Sequence, residues 1–160
     1  MKKILAILLV LVLALSLVGC GGDEAKKDRE KAAEADKAAI TKSDYKVKGM
    51  IDVDEENEDE VFGSLETLSE ERLDELGDYF EKYKEETKGM SYVDLEKIIG
   101  LQGIHFPEQD EVIDDGSHVK YVFWYSEGRM FYGIFTASKD SPDDFGLDEA
   151  GIYVDTEENN

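Results

Sequence analysis

The chain alternates between three kinds of pattern. It opens with Ile4 to Val18, fifteen residues in which Ser16 is the only polar side chain. A helix that spans a bilayer needs about 20 apolar residues, so this shorter run behind Met1-Lys2-Lys3 reads as the core of a secretory signal. Residues 21–43 invert the pattern: they contain no aromatic residue, and Ile40 is their only large aliphatic. Such a stretch cannot bury a core, no a/d seam can be drawn through it, and its Ala, Glu and Lys content predicts a partly helical spacer.

From Tyr45 onward the apolar residues return. Tyr45, Val47, Gly49, Ile51 and Val53 alternate with mostly polar neighbours, which predicts a first strand. Residues 54–60, "DEENEDE", follow as a solvated connection. The period then becomes helical. Ser69 is placed to cap, Leu68 to staple onto Leu73, and Leu73, Leu76, Phe80 and Tyr83 share one face up to a stop at Gly89. A short second helix is predicted from the Ser91/Asp94 pair, through Tyr92, Leu95, Ile98 and Ile99, to Gly100. Beyond Pro107 the period of two resumes over residues 111–113, 118–125, 130–137 and 152–154.

The predicted fold is therefore α+β: two consecutive helices packed on one face of an antiparallel sheet of about four or five strands. Residues 44–155 form the domain, and 156–160 a tail. If Glu127-Gly128 is a two-residue turn, Trp124 faces Phe131 and Tyr121 faces Ile134. One sheet face then carries Tyr121, Phe123, Tyr125, Met130, Tyr132 and Ile134. The other carries Lys120, Val122, Trp124, Phe131 and Phe135. The first is the more continuously apolar and is expected to lie against the helices.

The single cysteine changes the functional picture. Leu17-Val18-Gly19 before Cys20 resembles the lipobox of bacterial lipoproteins, with residues 1–19 as the cleaved signal and residues 20–43 as the lipidated cysteine and charged tether. The resemblance implies that Cys20 carries a diacylglycerol thioether and, after cleavage, an acylated amino terminus. That would anchor the protein to the cell membrane on its extracytoplasmic side, since more than one acyl chain gives a stable anchor. One cysteine allows no disulfide within the chain. The 39 acidic and 18 basic residues give a formal charge of −21, which disfavours nucleic acid and anionic lipid headgroups as partners.

"KGMSYVDLEKIIG", residues 88–100, followed by strands containing "YVFWY", resembles the small α/β modules of SmpA/OmlA-type envelope lipoproteins and of the β-lactamase inhibitory protein. Gly89, Met90, Ser91, Gly100 and Trp124 carry the likeness, which covers residues 70–137. It implies a helical layer on an antiparallel sheet, an open sheet face available to an envelope or extracellular protein, and no catalysis. Here a strand precedes the helices, and only one module is present.

On this reading Trp124, Phe131, Phe135 and Lys120 are the candidate protein-binding residues, with Tyr121, Tyr125 and Tyr132 taking that role if the faces are exchanged. A second reading places a calcium ion in the acidic connection. Asp52, Asp54 and Glu56 hold the first, third and fifth positions of an EF-hand count, while Asn57 and Gly63 stand where that loop needs Gly and Glu. No other cofactor is expected. His105 and His118 lack ligand-like or nucleophile-like spacing, and neither a phosphate-binding glycine loop nor a GxSxG elbow is present. The sequence therefore points away from an enzyme.

Overall fold

The computed structural model describes residues 23–154. Cys20, the expected signal segment and the expected tail lie outside the described residues. The elements run α1 (Asp23–Ile40), β1 (Ile51–Asp52), α2 (Glu58–Ser64), α3 (Glu70–Lys82), α4 (Tyr92–Ile99), β2 (Ile104–His105), a 3₁₀ turn (Pro107–Gln109), β3 (Glu111–Val112), β4 (His118–Tyr125), β5 (Arg129–Ala137) and β6 (Gly146–Val154). The class is α+β, as expected. Four α-helices accompany a six-stranded open sheet ordered β1-β2-β4-β5-β6, with β3 also paired to β4. Only β1 and β2 are parallel.

The helix ends follow the sequence signals. Ser69 accepts from the Arg72 amide, Ser91 accepts from the Asp94 amide, and Gly100 closes α4 at φ 81°. Leu68 and Leu73 are both buried in one cluster, consistent with a staple. The helix α3 ends at Lys82, about two turns before the expected Gly89, and residues 83–86 continue as turns.

Three expectations are corrected. The alternating stretch from Tyr45 forms a strand only at Ile51–Asp52, because its upstream part is held by a helix instead of the sheet. Glu96 of α4 is fully buried and accepts from Tyr45 Oη at 2.7 Å, the Lys48 amide at 2.8 Å and the Gly49 amide at 3.0 Å. The acidic connection is half helical: Glu58, Asp59 and Glu60 occupy the first turn of α2, where carboxylates favour the positive end of the helix dipole. The last strand is nine residues long, not three. It is paired with β5 along its length, and Gly146, Gly151 and the acidic pair Asp148-Glu149 had masked its alternation.

The largest correction concerns the expected tether. Residues 23–40 are helical but docked, not free. Ala33 is 4% exposed, and Asp36 accepts from Tyr83 Oη at 2.6 Å and Lys82 Nζ at 2.9 Å. Arg29 donates to the Lys82 carbonyl. The buried Arg72 of α3 ties the ends together by donating to the carbonyls of Ile40 in α1 and Ile98 in α4, while also pairing with Glu75. Apart from Ala33 and the partly buried Ile40 these contacts are polar, so hydropathy alone does not reveal them.

The core lies between α3, α4 and one sheet face. Leu73, Leu76, Phe80, Leu95, Ile98 and Ile99 meet Val122, Trp124, Phe131, Phe135 and Leu147 there. Each large side chain contributes about 1.5–3 kcal/mol by leaving water. Trp124 Nε1 is satisfied by the Leu101 carbonyl at 3.0 Å. A smaller cluster, Val53, Ile104 and Phe106, sits under α2 with Val61, Leu65, Phe123 and Tyr125.

Ala33→Glu places a carboxylate in the α1–α3 contact. It is expected to lower stability by about 1–3 kcal/mol and to raise amide exchange in α1 while the sheet stays protected. Unchanged exchange in α1 would mean that the helix is not held by this contact.

Candidate functional site

The hairpin register fixes what each sheet face offers. The structure pairs Trp124 with Phe131, Tyr121 with Ile134 and Lys120 with Phe135, the register expected from the Glu127-Gly128 turn. Gly128 takes φ 72°, a conformation that glycine adopts without a Cβ penalty, and the Ser126 amide donates to the Arg129 carbonyl at 2.9 Å.

The face assignment is reversed, however. Trp124, Phe131 and Phe135 are 2%, 0% and 1% exposed, because this face receives the apolar stripes of α3 and α4. They are core, not docking residues. Lys120 lies at the end of the same face. Its ammonium stands 3.6 Å from Asp110 and 4.9 Å from the centre of the Phe145 ring, so the side chain is committed internally.

The opposite face is the candidate site. Across β4, β5 and β6 its rows are Tyr121–Ile134–Glu149, Phe123–Tyr132–Gly151 and Tyr125–Met130–Tyr153. The large side chains of these rows are all half-buried, and α2 covers only one end. There Phe62 meets Tyr125 edge to face at 5.6 Å and is itself 38% exposed. Tyr132 lies across Gly151: a Cβ at that position would come within 3.0 Å of the phenol oxygen. Tyr132 Oη then donates to Glu149 Oε1 at 2.8 Å, and the other Glu149 oxygen is 3.6 Å from Lys84 Nζ. Glycine in the edge strand thus makes room for an aromatic platform.

Burial favours the neutral form of Tyr121, Tyr125 and Tyr132. Burial pushes Tyr121 and Tyr125 above the ordinary phenol range, with Glu111 and Glu58 adding to the respective shifts. Burial and the Glu149 hydrogen bond push Tyr132 higher still. A neutral phenol offers both a donor and an acceptor on an apolar body, a combination suited to polypeptide surfaces.

A second group of polar residues was not apparent from the sequence. His105 is 3% exposed, with Nδ1 at 2.7 Å from Asp52 and Nε2 at 2.7 Å from Asp110. Both ring nitrogens are thus engaged by carboxylates. Neither nitrogen is left free for a metal or a substrate. His105 instead joins β1, β2 and the turn before β3. Its partners are 53 and 5 residues away in the chain, and only the fold brings them together.

The calcium constellation is not assembled. Asp52 turns to His105, while Asp54 Oδ1 accepts from the amides of Glu56 and Asn57 at 2.9 and 3.0 Å. Among the described residues no group of three or more His, Cys, Asp or Glu side chains is placed to hold a metal ion. A cleft of about 300 Å³ between α2 and β1, lined by Lys48, Ile51, Val61, Leu65, Leu101 and Gln102, lies at the lower size limit for small-molecule pockets. No helix among the described residues is long and apolar enough to cross a membrane. No family model, curated protein or solved structure matches the chain.

The raised phenols predict a pH limit. Tyr45, Tyr79, Tyr92, Tyr121, Tyr125 and Tyr132 are all pushed up, in each case chiefly by burial, with Tyr79 at about 12. In the unfolded chain they ionise near about 10, so their contribution to stability is complete below that pH and is lost as pH rises through the folded values. A titration followed by tyrosinate absorbance and circular dichroism should show most tyrosines ionising together with unfolding. Full ionisation near pH 10 with the dichroism intact would contradict the burial.

Proposed function

We propose that this chain is a membrane-anchored envelope lipoprotein whose domain is a non-catalytic protein-binding module. In this reading an acylated Cys20 holds it to the extracytoplasmic side of the cell membrane, and the tyrosine face of the sheet engages another envelope or extracellular protein. The observation that carries the proposal is the unequal treatment of two aromatic faces. One is sealed by α3 and α4. The other leaves Tyr121, Met130, Tyr132, Ile134 and Tyr153 half-buried and outside both apolar clusters. Apolar surface of this kind marks interaction sites, and tyrosine is favoured in them because it gives contact area at low conformational cost.

The sequence supports the anchor through the cationic start, the apolar run and the resemblance of Leu17 to Cys20 to a lipobox. The docked α1 alters the consequence of that anchor. Its first residue is Asp23, three positions after Cys20, and side-chain contacts to the domain begin by Arg29. The domain would thus be held close to the bilayer by a strut, not lifted away on a free tether. The net charge of −21 favours a partner with a basic surface and keeps the domain off anionic headgroups.

The test is site-specific photo-cross-linking in native envelopes, with the photoreactive side chain at Tyr121 or, as a control on the helical side, at Glu81. Adducts formed at Tyr121, absent at Glu81 and lost with Tyr132→Ser plus Ile134→Ser in a protein that still melts cooperatively are the expected result. Equal adducts at both positions, or no dependence on the face residues, would refute the binding face. Cys20→Ser should release the protein from the membrane fraction and remove the acyl mass. A variant that stays equally membrane-bound would refute the anchor.

A further inference from the structure

The nine-residue β6 ends the sheet and pairs only with β5. Its outer side is closed at the start, where the Leu147 carbonyl accepts from the Gly89 amide at 2.7 Å and its amide donates to the Met90 carbonyl at 2.9 Å. In an antiparallel ladder all residues on one face direct their backbone groups to the same neighbour. Leu147 opposes Phe135, and across the irregularity after Ile134, Ala150, Ile152 and Val154 oppose Gly133, Phe131 and Arg129 on that same face. Their amides and carbonyls therefore point outward like those of Leu147. Among the described residues none of these outer groups has a hydrogen-bond partner.

An open edge of this length invites strand pairing, and proteins that avoid it use lysine, proline, inward charges or bulges. The open half of β6, "AGIYV" at residues 150–154, contains no charged residue and no proline, and the irregularity lies at the covered end. The opposite side of the sheet ends in the two-residue strands β1 and β3. Charge narrows the choice of occupant. The exposed Asp148 adjoins the open stretch, and β6 contains no basic residue. A second copy would bring another chain of net charge −21 to this edge, which like-charge repulsion disfavours, whereas a basic segment is attracted.

We propose that the outer edge of β6 receives an extended segment of the partner that carries lysine or arginine at alternate positions, adding an antiparallel or parallel strand to the sheet. The inference rests on the reading of the domain as a protein-binding module and specifies the chemistry of its partner. Backbone bonds to Ala150, Ile152 and Val154 would supply affinity. Asp148 and the net negative charge of the chain would supply selectivity, and the added strand would extend the platform of Tyr132 and Tyr153.

The test uses the full chain in detergent micelles and three capped octapeptides: alternating Lys and Val, alternating Glu and Val, and the Lys–Val peptide N-methylated at alternate residues. The Lys–Val peptide should slow amide exchange of Ala150, Ile152 and Val154 at least tenfold. The Glu–Val peptide should not bind, and N-methylation should weaken binding at least tenfold. Val154→Pro, which removes one outward amide at an exposed position, should reduce the affinity of the Lys–Val peptide, and the N-methylated peptide decides the matter if that variant does not fold. Equal binding of the methylated peptide would reduce the effect to diffuse charge and overturn the proposal. So would amides already protected in the free chain, or a dimer that forms through β6. Tyr132→Ser plus Ile134→Ser should leave the protection of the β6 amides in place, so that failure of the sheet-face reading and failure of the edge proposal are seen separately.

Discussion

The pairing of Trp124 with Phe131 across the β4–β5 hairpin determines which aromatic residues become core and which become surface. Side chains alternate along a strand, so a slip of one residue would move every ring to the other face. The turn at Glu127-Gly128 and the match of both rings to the α3–α4 layer oppose such a slip. Phe80 packs on Phe131 at 5.3 Å, and Tyr92 stacks on Trp124 at 6.2 Å. With the helices committed to this side, Tyr121, Tyr132 and Tyr153 on the other stay half-buried and outside both apolar clusters. The binding reading follows from that asymmetry.

Two buried ionic side chains then organise the chain around this layer. Glu96 gathers Tyr45 and the amides of Lys48 and Gly49, fixing the approach to β1. Arg72 joins the carbonyls near the ends of α1 and α4. Buried charges are tolerated when hydrogen bonds satisfy them, and both side chains largely meet that condition, with Arg72 Nε left unpartnered. His105 does the same at the sheet margin by linking Asp52 with Asp110. All three sites tie together segments that are distant in sequence, which stiffens a domain without disulfides.

Features that depend on neighbouring residues could be read directly. The caps at Ser69 and Ser91, the stop at Gly100 and the hairpin register all rest on short-range geometry. The sheet face did not, because both faces are rich in aromatics. The choice depended on long-range packing by Leu147, Ile152 and the helical stripes, and the greater continuity of the tyrosine side pointed the wrong way. The docking of α1 was hidden because Ala33 is its only fully buried apolar contact and, apart from the partly buried Ile40, the other contacts are polar. Tyr45 and Gly49 fit a strand by period, yet a single glutamate fifty residues away diverted that stretch from the sheet.

Exposure of the aromatic residues in solution tests this account most directly. Hydroxyl-radical footprinting of the folded protein, read by mass spectrometry, should oxidise Tyr121, Met130, Tyr132 and Tyr153 while sparing Trp124, Phe131 and Phe135. Protection of Trp124 is the most informative part, since indole is intrinsically among the most reactive side chains. Oxidation of Trp124 as fast as Tyr121 in a protein that is still folded would contradict the assignment of the two faces, and with it the proposed binding surface.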